Sequence, residues 1–160
     1  MDDPANITAW QRLSTDVTTS GKIAQADAAR LADLGVRHVI NLAMADSPDA
    51  LPDEAQVLAA AGMGYTHIPI PFTAPDESHF AAFCTALEAA PRPLHVHCIL
   101  NWRVSAMFYR WHRDVAGMAE AEARALMNRQ WDPATSDYPG ADAWAAFIAP
   151  RAGPDDQSAG

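Results

Sequence analysis

Short apolar runs alternate with helix-like segments through most of the chain, and this alternation is the strongest constraint on its fold. The apolar runs are rich in β-branched residues, as buried strands are, and they cover residues 36–42, 65–70 and 93–97. The helix-like segments are residues 25–34, 53–61, 78–90, 104–115 and 118–129. Strands that alternate with helices favour a parallel sheet covered on both faces. The sequence therefore predicts an α/β fold with a mainly parallel central sheet flanked by helices, to which residues 11–14 add an edge strand.

The chain length of 160 residues is typical of one ordinary domain. We expect a single domain over residues 1–149. Residues 150–160 are polar and rich in glycine, proline and aspartate, and this composition predicts a disordered tail.

The charge balance excludes several kinds of partner. The formal net charge is -9, from 20 acidic against 11 basic residues, and Lys22 is the only lysine. Binding to nucleic acid or to an anionic membrane requires a basic surface, so neither is expected. The sequence shows no apolar run long enough to span a bilayer and no signal-peptide pattern at its start. Two cysteines do not make a disulfide framework, and a cytoplasmic, reducing location is expected.

Ligand sites in parallel sheets form at the carboxyl ends of the strands. The third predicted strand ends in the run HCILNWRVS, residues 97–105, which leads into a long helix. The amides of such a loop and the positive end of the helix dipole point at one place and form an anion site. The same field favours a thiolate at Cys98, and Arg103 adds a two-pronged donor for phosphate oxygens.

This run resembles the signature loop of cysteine-dependent phosphatases, His-Cys-x5-Arg-(Ser/Thr). The likeness extends upstream through Thr19-Ser20-Gly21, VRHVINL, Asp53-Glu54, GMGYTHIPIPF and PLHVHC. Together these blocks, spread over residues 7–148, resemble a bacterial protein-tyrosine-phosphatase-like group that occurs alone or with metallo-β-lactamase-like hydrolases. The resemblance implies a phosphatase of the dual-specificity type that forms a phosphocysteine on Cys98. It implies no metal and no cofactor, and a phosphorylated small molecule or phosphoprotein as the substrate.

The loop departs from the signature in its length. Four residues separate Cys98 from Arg103 rather than five, and Val104 stands where a hydroxyl residue usually follows the arginine. The variant HC-x2-N-x-RVSA also resembles a form found within the bacterial group. A four-residue spacing resembles the loop of rhodanese-like sulfurtransferases too, in which the cysteine carries a persulfide. A third alternative is a non-catalytic module that only binds an oxyanion.

The general acid is a second departure. In phosphatases of this fold an aspartate on the loop after the preceding strand protonates the leaving oxygen, and here that position aligns with Phe72. Asp76 is the first choice for the role and Glu77 the second. Alternatively, both acids only favour the start of the helix at Ser78, and the absence of an acid at Phe72 would suit the non-catalytic module.

Further residues around the loop have expected roles. The amides of the four loop residues and of Arg103 are expected to bind phosphate oxygens; the loop residues are Ile99, Leu100, Asn101 and Trp102. By analogy with the family, Ser105 assists departure of the thiolate. His97 is expected to hold the loop by a hydrogen bond, and Asn41 either braces the loop or caps a turn. Trp102 either lines the substrate mouth or packs on the helices.

Overall fold

The computed structural model describes residues 3–150. It contains five strands: β1 Gln11–Arg12, β2 Val17–Ser20, β3 His38–Asn41, β4 Gly64–His67 and β5 Leu94–His97. Its six helices are α1 Asp27–Asp33, α2 Glu54–Ala60, α3 Glu77–Ala89, α4 Trp102–Asp114, α5 Glu120–Asn128 and α6 Ala141–Ile148. The tail predicted over residues 150–160 lies, beyond Pro150, outside the described residues.

The strands form one sheet in the order β1-β2-β5-β3-β4. Only the β1–β2 pair is antiparallel; β2, β5, β3 and β4 run parallel to one another. The prediction of a mainly parallel sheet flanked by helices is therefore confirmed, with an edge strand at β1. Because His97 pairs with both Ser20 and Asn41, the loops that follow β2, β5 and β3 leave the sheet side by side.

The helices cover the two faces of the sheet unequally. Alternate residues of β3 show the division, since Val39 packs with α1 and α2 and Ile40 packs with the larger core beneath α3 to α6. In β5, Leu94 and Val96 join that larger core. This alternation follows from the period of two in a strand, and it turns the intervening histidines of β5 towards the smaller cluster.

The sequence reasoning did not identify β2 as a strand, because three of its four residues are hydroxyl-bearing. All four are buried. Two of their hydroxyl groups have a hydrogen-bonding partner in His95 of β5, which is fully buried. The His95 ring nitrogens lie 2.8 Å from Thr18 Oγ1 and 2.8 Å from Ser20 Oγ. Burial, with a smaller contribution from His97, holds the pKa of His95 well below its usual value. A neutral histidine therefore links β5 to β2 through side chains.

Within residues 3–150 no helix is long and apolar enough to cross a membrane.

Candidate active site

A cavity of about 490 Å³ lies at the carboxyl ends of β3, β4 and β5. Three loops supply most of its wall, one after each of these strands, and the connection between α5 and α6 completes it. The lining residues are Ser47, Pro48, Asp49, Phe72, Thr73, Cys98, Ile99, Leu100, Trp102, Arg103, Tyr138 and Pro139. Cys98 and Arg103 thus face the same space, whereas Asp76, Ser105, His97 and Asn41 are not among the lining residues.

The loop between Cys98 and α4 presents unpaired amides. Its ends are fixed, because the Cys98 amide donates to the Ser20 carbonyl at 3.3 Å and the Ser105 amide donates to Asn101 at 3.0 Å. Between these points, no acceptor within residues 3–150 receives a hydrogen bond from the amides of residues 99–103. The first turn of a helix leaves such groups free by geometry, and together with the helix dipole they favour an anion.

Arg103 is a buried guanidinium without a carboxylate partner. Two arginines of the described chain are buried, Arg103 with 7% and Arg110 with 4% of its surface exposed. Arg110 has Glu77 at 2.6 Å, but no carboxylate oxygen among residues 3–150 lies within 4.0 Å of Arg103. Its Nη1 donates instead to the Ile70 carbonyl at 2.8 Å. A buried charge that lacks a counter-ion is costly, so this site is suited to an anionic ligand.

Asn101 holds the short loop in place through the hydrogen bonds of its side chain. It adopts a left-handed conformation (φ 66°), which asparagine tolerates better than most residues. Its amide group donates to the Ala9 carbonyl at 2.9 Å and to Thr19 Oγ1 at 3.0 Å, and Ser105 Oγ donates to its carbonyl oxygen at 3.0 Å. Asn101 can therefore meet a ligand only through its main-chain amide. Since the Ser105 hydroxyl is directed at Asn101, a direct role in thiolate departure stays a prediction.

Gly21 allows the loop to lie against the end of β2. A Cβ atom at this position would lie 2.4 Å from the Ile99 carbonyl oxygen, a distance that backbone atoms cannot accept without moving. The amide of the next residue, Lys22, donates to the same carbonyl at 2.8 Å. Because the Ile99 carbonyl lies against Gly21, the position of Ile99 depends on a residue without a side chain at position 21.

We expect Gly21→Ala to displace the loop and to impair any reaction at Cys98. The backbone movement that the new Cβ forces should lower the free energy of unfolding by about 1–3 kcal/mol. The accompanying shift of the catalytic atoms should lower kcat/KM for an aryl phosphate by about 10²-fold. Gly35→Ala is the matched control, because Gly35 has a φ of 89° and nothing within 4 Å of its Cβ position. It should lose stability and keep its activity; wild-type activity in Gly21→Ala would contradict the prediction.

A buried polar network supports the loop from the opposite face of β5. His97 Nε2 lies 2.6 Å from Glu54 Oε2, with the two side chains 4% and 5% exposed, and His97 Nδ1 lies 3.1 Å from the Cys98 carbonyl. Asn41 donates to Glu54 Oε1 at 3.4 Å and to the Tyr65 hydroxyl at 3.1 Å, and its side-chain carbonyl accepts the Ala43 amide at 2.9 Å. The geometry predicted for His97 is present, and Asn41 both holds a turn and joins this network.

The His97–Glu54 pair joins α2 to the end of β5. Because His97 directly precedes Cys98 in the chain, the pair anchors the strand that leads to the nucleophile.

Aromatic side chains form one side of the cavity. Phe72 has its ring centroid 5.5–6.2 Å from those of its four aromatic neighbours, which are Trp102, Trp131, Tyr138 and Trp144. Trp102 stacks on Trp131 at 4.7 Å with an interplanar angle of 2°, and Trp144 Nε1 donates to the Phe72 carbonyl at 2.6 Å. Trp102 thus lines the cavity and packs on Phe72 and Trp131, which both lie outside the helices.

Both predicted acids lie at the start of α3. The Asp76 carboxylate accepts the amides of Ser78 and His79 at 2.9 and 3.2 Å, and a capping box is complete. The hydrogen bond from the Ser78 hydroxyl, followed by that from the His79 amide, lowers the pKa of Asp76. Glu77 forms the two-pronged ion pair with Arg110. The structure therefore places Asp76 in the capping role that the sequence also allowed and pairs Glu77 with Arg110, and a catalytic role for either stays a prediction.

Several residues of the site were not predicted from the sequence, although the sequence contains a signal for some of them. Asp49 and Tyr138 face the cavity, and Glu54 lies beneath the loop. The position of Asp49 on the loop after a predicted strand was such a signal, whereas Tyr138 belongs to a connection with no pattern of its own. Among residues 3–150 no group of three or more histidine, cysteine, aspartate or glutamate side chains is arranged to hold a metal ion.

Comparisons with known proteins agree with this geometry. A family model described as "Beta-lactamase hydrolase-like protein, phosphatase-like domain" matches residues 10–117. The structure of a putative phosphatase from Shewanella putrefaciens CN-32 is similar, with 28% identity over 89% of this chain and 90% of that one and a TM-score of 0.73. No curated protein matches the sequence.

More distant structures share the fold. Pseudomonas aeruginosa TpbA, solved in complex with pTyr, has a TM-score of 0.71 at 18% identity, over 99% of this chain and 91% of that one. Tk-PTP in its active form has a TM-score of 0.64 at 19% identity, over 88% and 95%. The resemblance to a bacterial protein-tyrosine-phosphatase-like group is thereby confirmed. Since the family model spans more than half of the chain, the protein belongs to the family of phosphatase-like domains of beta-lactamase hydrolase-like proteins.

Proposed function

We propose that this protein hydrolyses phosphate monoesters through a phosphocysteine formed on Cys98. The observation that carries the proposal is the combination, in one cavity, of a cysteine, five free amides and a buried guanidinium without a counter-ion. A phosphoryl group bears charge on three oxygens, which these donors match. The phosphatase-like family supports the same class of reaction.

The reaction proceeds in two displacements. The Cys98 thiolate attacks phosphorus, so that a sulfur–phosphorus bond forms as the ester oxygen leaves with a proton from an acid. Water then attacks the phosphocysteine, the sulfur–phosphorus bond breaks, and inorganic phosphate and the thiolate are released. Arg103 and the amides of residues 99–103 hold the non-bridging oxygens throughout and stabilise the charge as it shifts.

The aromatic side of the cavity supports an aryl phosphate as the substrate class. Phe72, Trp102 and Tyr138 can contact a ring attached to the phosphate. TpbA, a structural neighbour, was solved in complex with pTyr. We therefore propose a phosphotyrosine-like ester, on a small molecule or a protein, as the preferred substrate.

Rapid quenching followed by mass spectrometry of the Cys98 peptide tests the mechanism. Incubation with an aryl phosphate should add one phosphoryl group to that peptide and none to the peptide of Cys84. A persulfide formed from thiosulfate, without phosphoryl transfer, would favour a rhodanese-like sulfurtransferase instead. Binding of inorganic phosphate without any covalent species or turnover would favour the non-catalytic oxyanion-binding module.

A further inference from the structure

A hydrolase of the proposed kind needs a proton donor beside its leaving oxygen, because an unprotonated alkoxide or phenolate leaves poorly. Of the acidic residues between positions 3 and 150, only Asp49 lines the cavity that contains Cys98 and Arg103. Its side chain is 56% exposed. The chemistry of the reaction and the content of the cavity therefore indicate the same residue.

The fold brings Asp49 to the rim of the Cys98 loop. Asp49 lies on the loop after β3, and β3 is hydrogen-bonded to β5, the strand that ends at His97, directly before Cys98. The Asp49 carboxylate lies 3.7 Å from Lys22 Nζ, and the Lys22 amide is bonded to the Ile99 carbonyl at 2.8 Å. Asp49 is thus connected, through Lys22, to Ile99, the first residue of the loop.

The ion pair with Lys22 leaves the Asp49 carboxyl free to move. Lys22 is 48% and Asp49 56% exposed, and their charged atoms are 3.7 Å apart. Such exposed pairs are worth about 0–1 kcal/mol. The pair therefore holds the Asp49 carboxyl only weakly in place.

Asp76 is less suited to the role on two counts. It is not among the residues that line the cavity, and its oxygen is used in capping α3. The hydrogen bonds of that cap also lower its pKa, which disfavours the protonated form that a general acid needs.

We propose that Asp49 is the general acid of the reaction, an inference that rests on the proposed function. Its carboxyl proton passes to the ester oxygen as the bond between that oxygen and phosphorus breaks. The resulting carboxylate then accepts a proton from the water that attacks the phosphocysteine, which restores the acid.

The dependence of kcat/KM on the leaving group tests this role, because kcat/KM reports the steps up to release of the first product. 4-Nitrophenyl phosphate has a leaving group that needs little protonation, whereas phenyl phosphate requires it. Asp49→Asn should change kcat/KM by less than about 3-fold for the first substrate and lower it by about 10²-fold or more for the second. Asp46→Asn, the same change at an exposed position of the same loop, should behave as wild type with both.

Two results would overturn the assignment. One is an unchanged ratio of kcat/KM between the two substrates in Asp49→Asn, whether or not both values fall, and the other is a substrate-dependent fall in Asp76→Asn instead. Each requires an active wild-type protein. A wild-type protein that hydrolyses neither ester would overturn the proposed function itself, and Asp49 would then have no reaction to serve.

Discussion

Replacing Cys98 by serine should abolish turnover of an aryl phosphate, with kcat lowered by about 10⁴-fold or more. Cys98 is the only cysteine in the cavity lining, and a serine hydroxyl at the same place lacks the thiolate that attacks phosphorus. Steady-state hydrolysis measures the loss. Calorimetric titration with inorganic phosphate should show an affinity close to that of wild type, because the loop amides and Arg103 remain.

Cys84→Ser is the matched control for this substitution. Cys84 lies half-buried on α3 and is not among the cavity residues, so its replacement should leave kcat and phosphate affinity close to wild type. Turnover by Cys98→Ser at the wild-type rate would contradict the mechanism. Lost phosphate binding in Cys98→Ser would show that the substitution had disturbed the loop.

Replacing Arg103 by methionine should separate activity from stability. The substitution removes the two-pronged donor for the phosphate oxygens, and we expect kcat/KM to fall by about 10²–10³-fold or more. It also removes a buried charge that no carboxylate balances, so the free energy of unfolding should stay the same or rise. Hydrolysis assays and denaturant unfolding of the same preparations measure the two quantities.

Arg110→Met provides the opposite pattern. Arg110 lies between the rings of Phe80 and Phe147, 4.2 and 4.8 Å from their centroids, and pairs with Glu77. Its loss should lower the free energy of unfolding by about 1–2 kcal/mol, because both contacts between the guanidinium and the rings are lost. It should leave kcat/KM unchanged at a temperature where the variant is folded. Equal destabilisation by both substitutions would show that Arg103 is a structural residue rather than a ligand-binding one.

The alternation of apolar runs and helical segments was enough to predict three of the four parallel strands and five helices. β2 was not predicted because its buried hydroxyl groups are satisfied by His95, a partner more than seventy positions away. α6 was not predicted because eight residues with four alanines show too little periodicity. Both omissions have the same physical origin, since the local sequence does not record the contacts that stabilise these elements.

The site was predictable where one loop contains all of its parts. Cys98, Arg103 and the amides between them follow from a single run of sequence. The opposite wall of the cavity does not follow from that run, because Asp49 and Tyr138 belong to connections that lie close together only in the folded protein. The general acid is therefore the part of the mechanism that sequence spacing describes least well. A capping aspartate such as Asp76 has the same local appearance as a catalytic one.

The His97–Glu54 pair has an evolutionary consequence. Removing one partner of a buried pair costs about 3–5 kcal/mol, against a total stability of about 5–15 kcal/mol for a typical domain. A homologue that loses Glu54 alone would retain a buried His97, directly before the nucleophile in the chain, without its carboxylate partner. We therefore expect positions 54 and 97 to covary among homologous sequences. That covariation would show how this family has kept β5, the strand that precedes the nucleophile, in place.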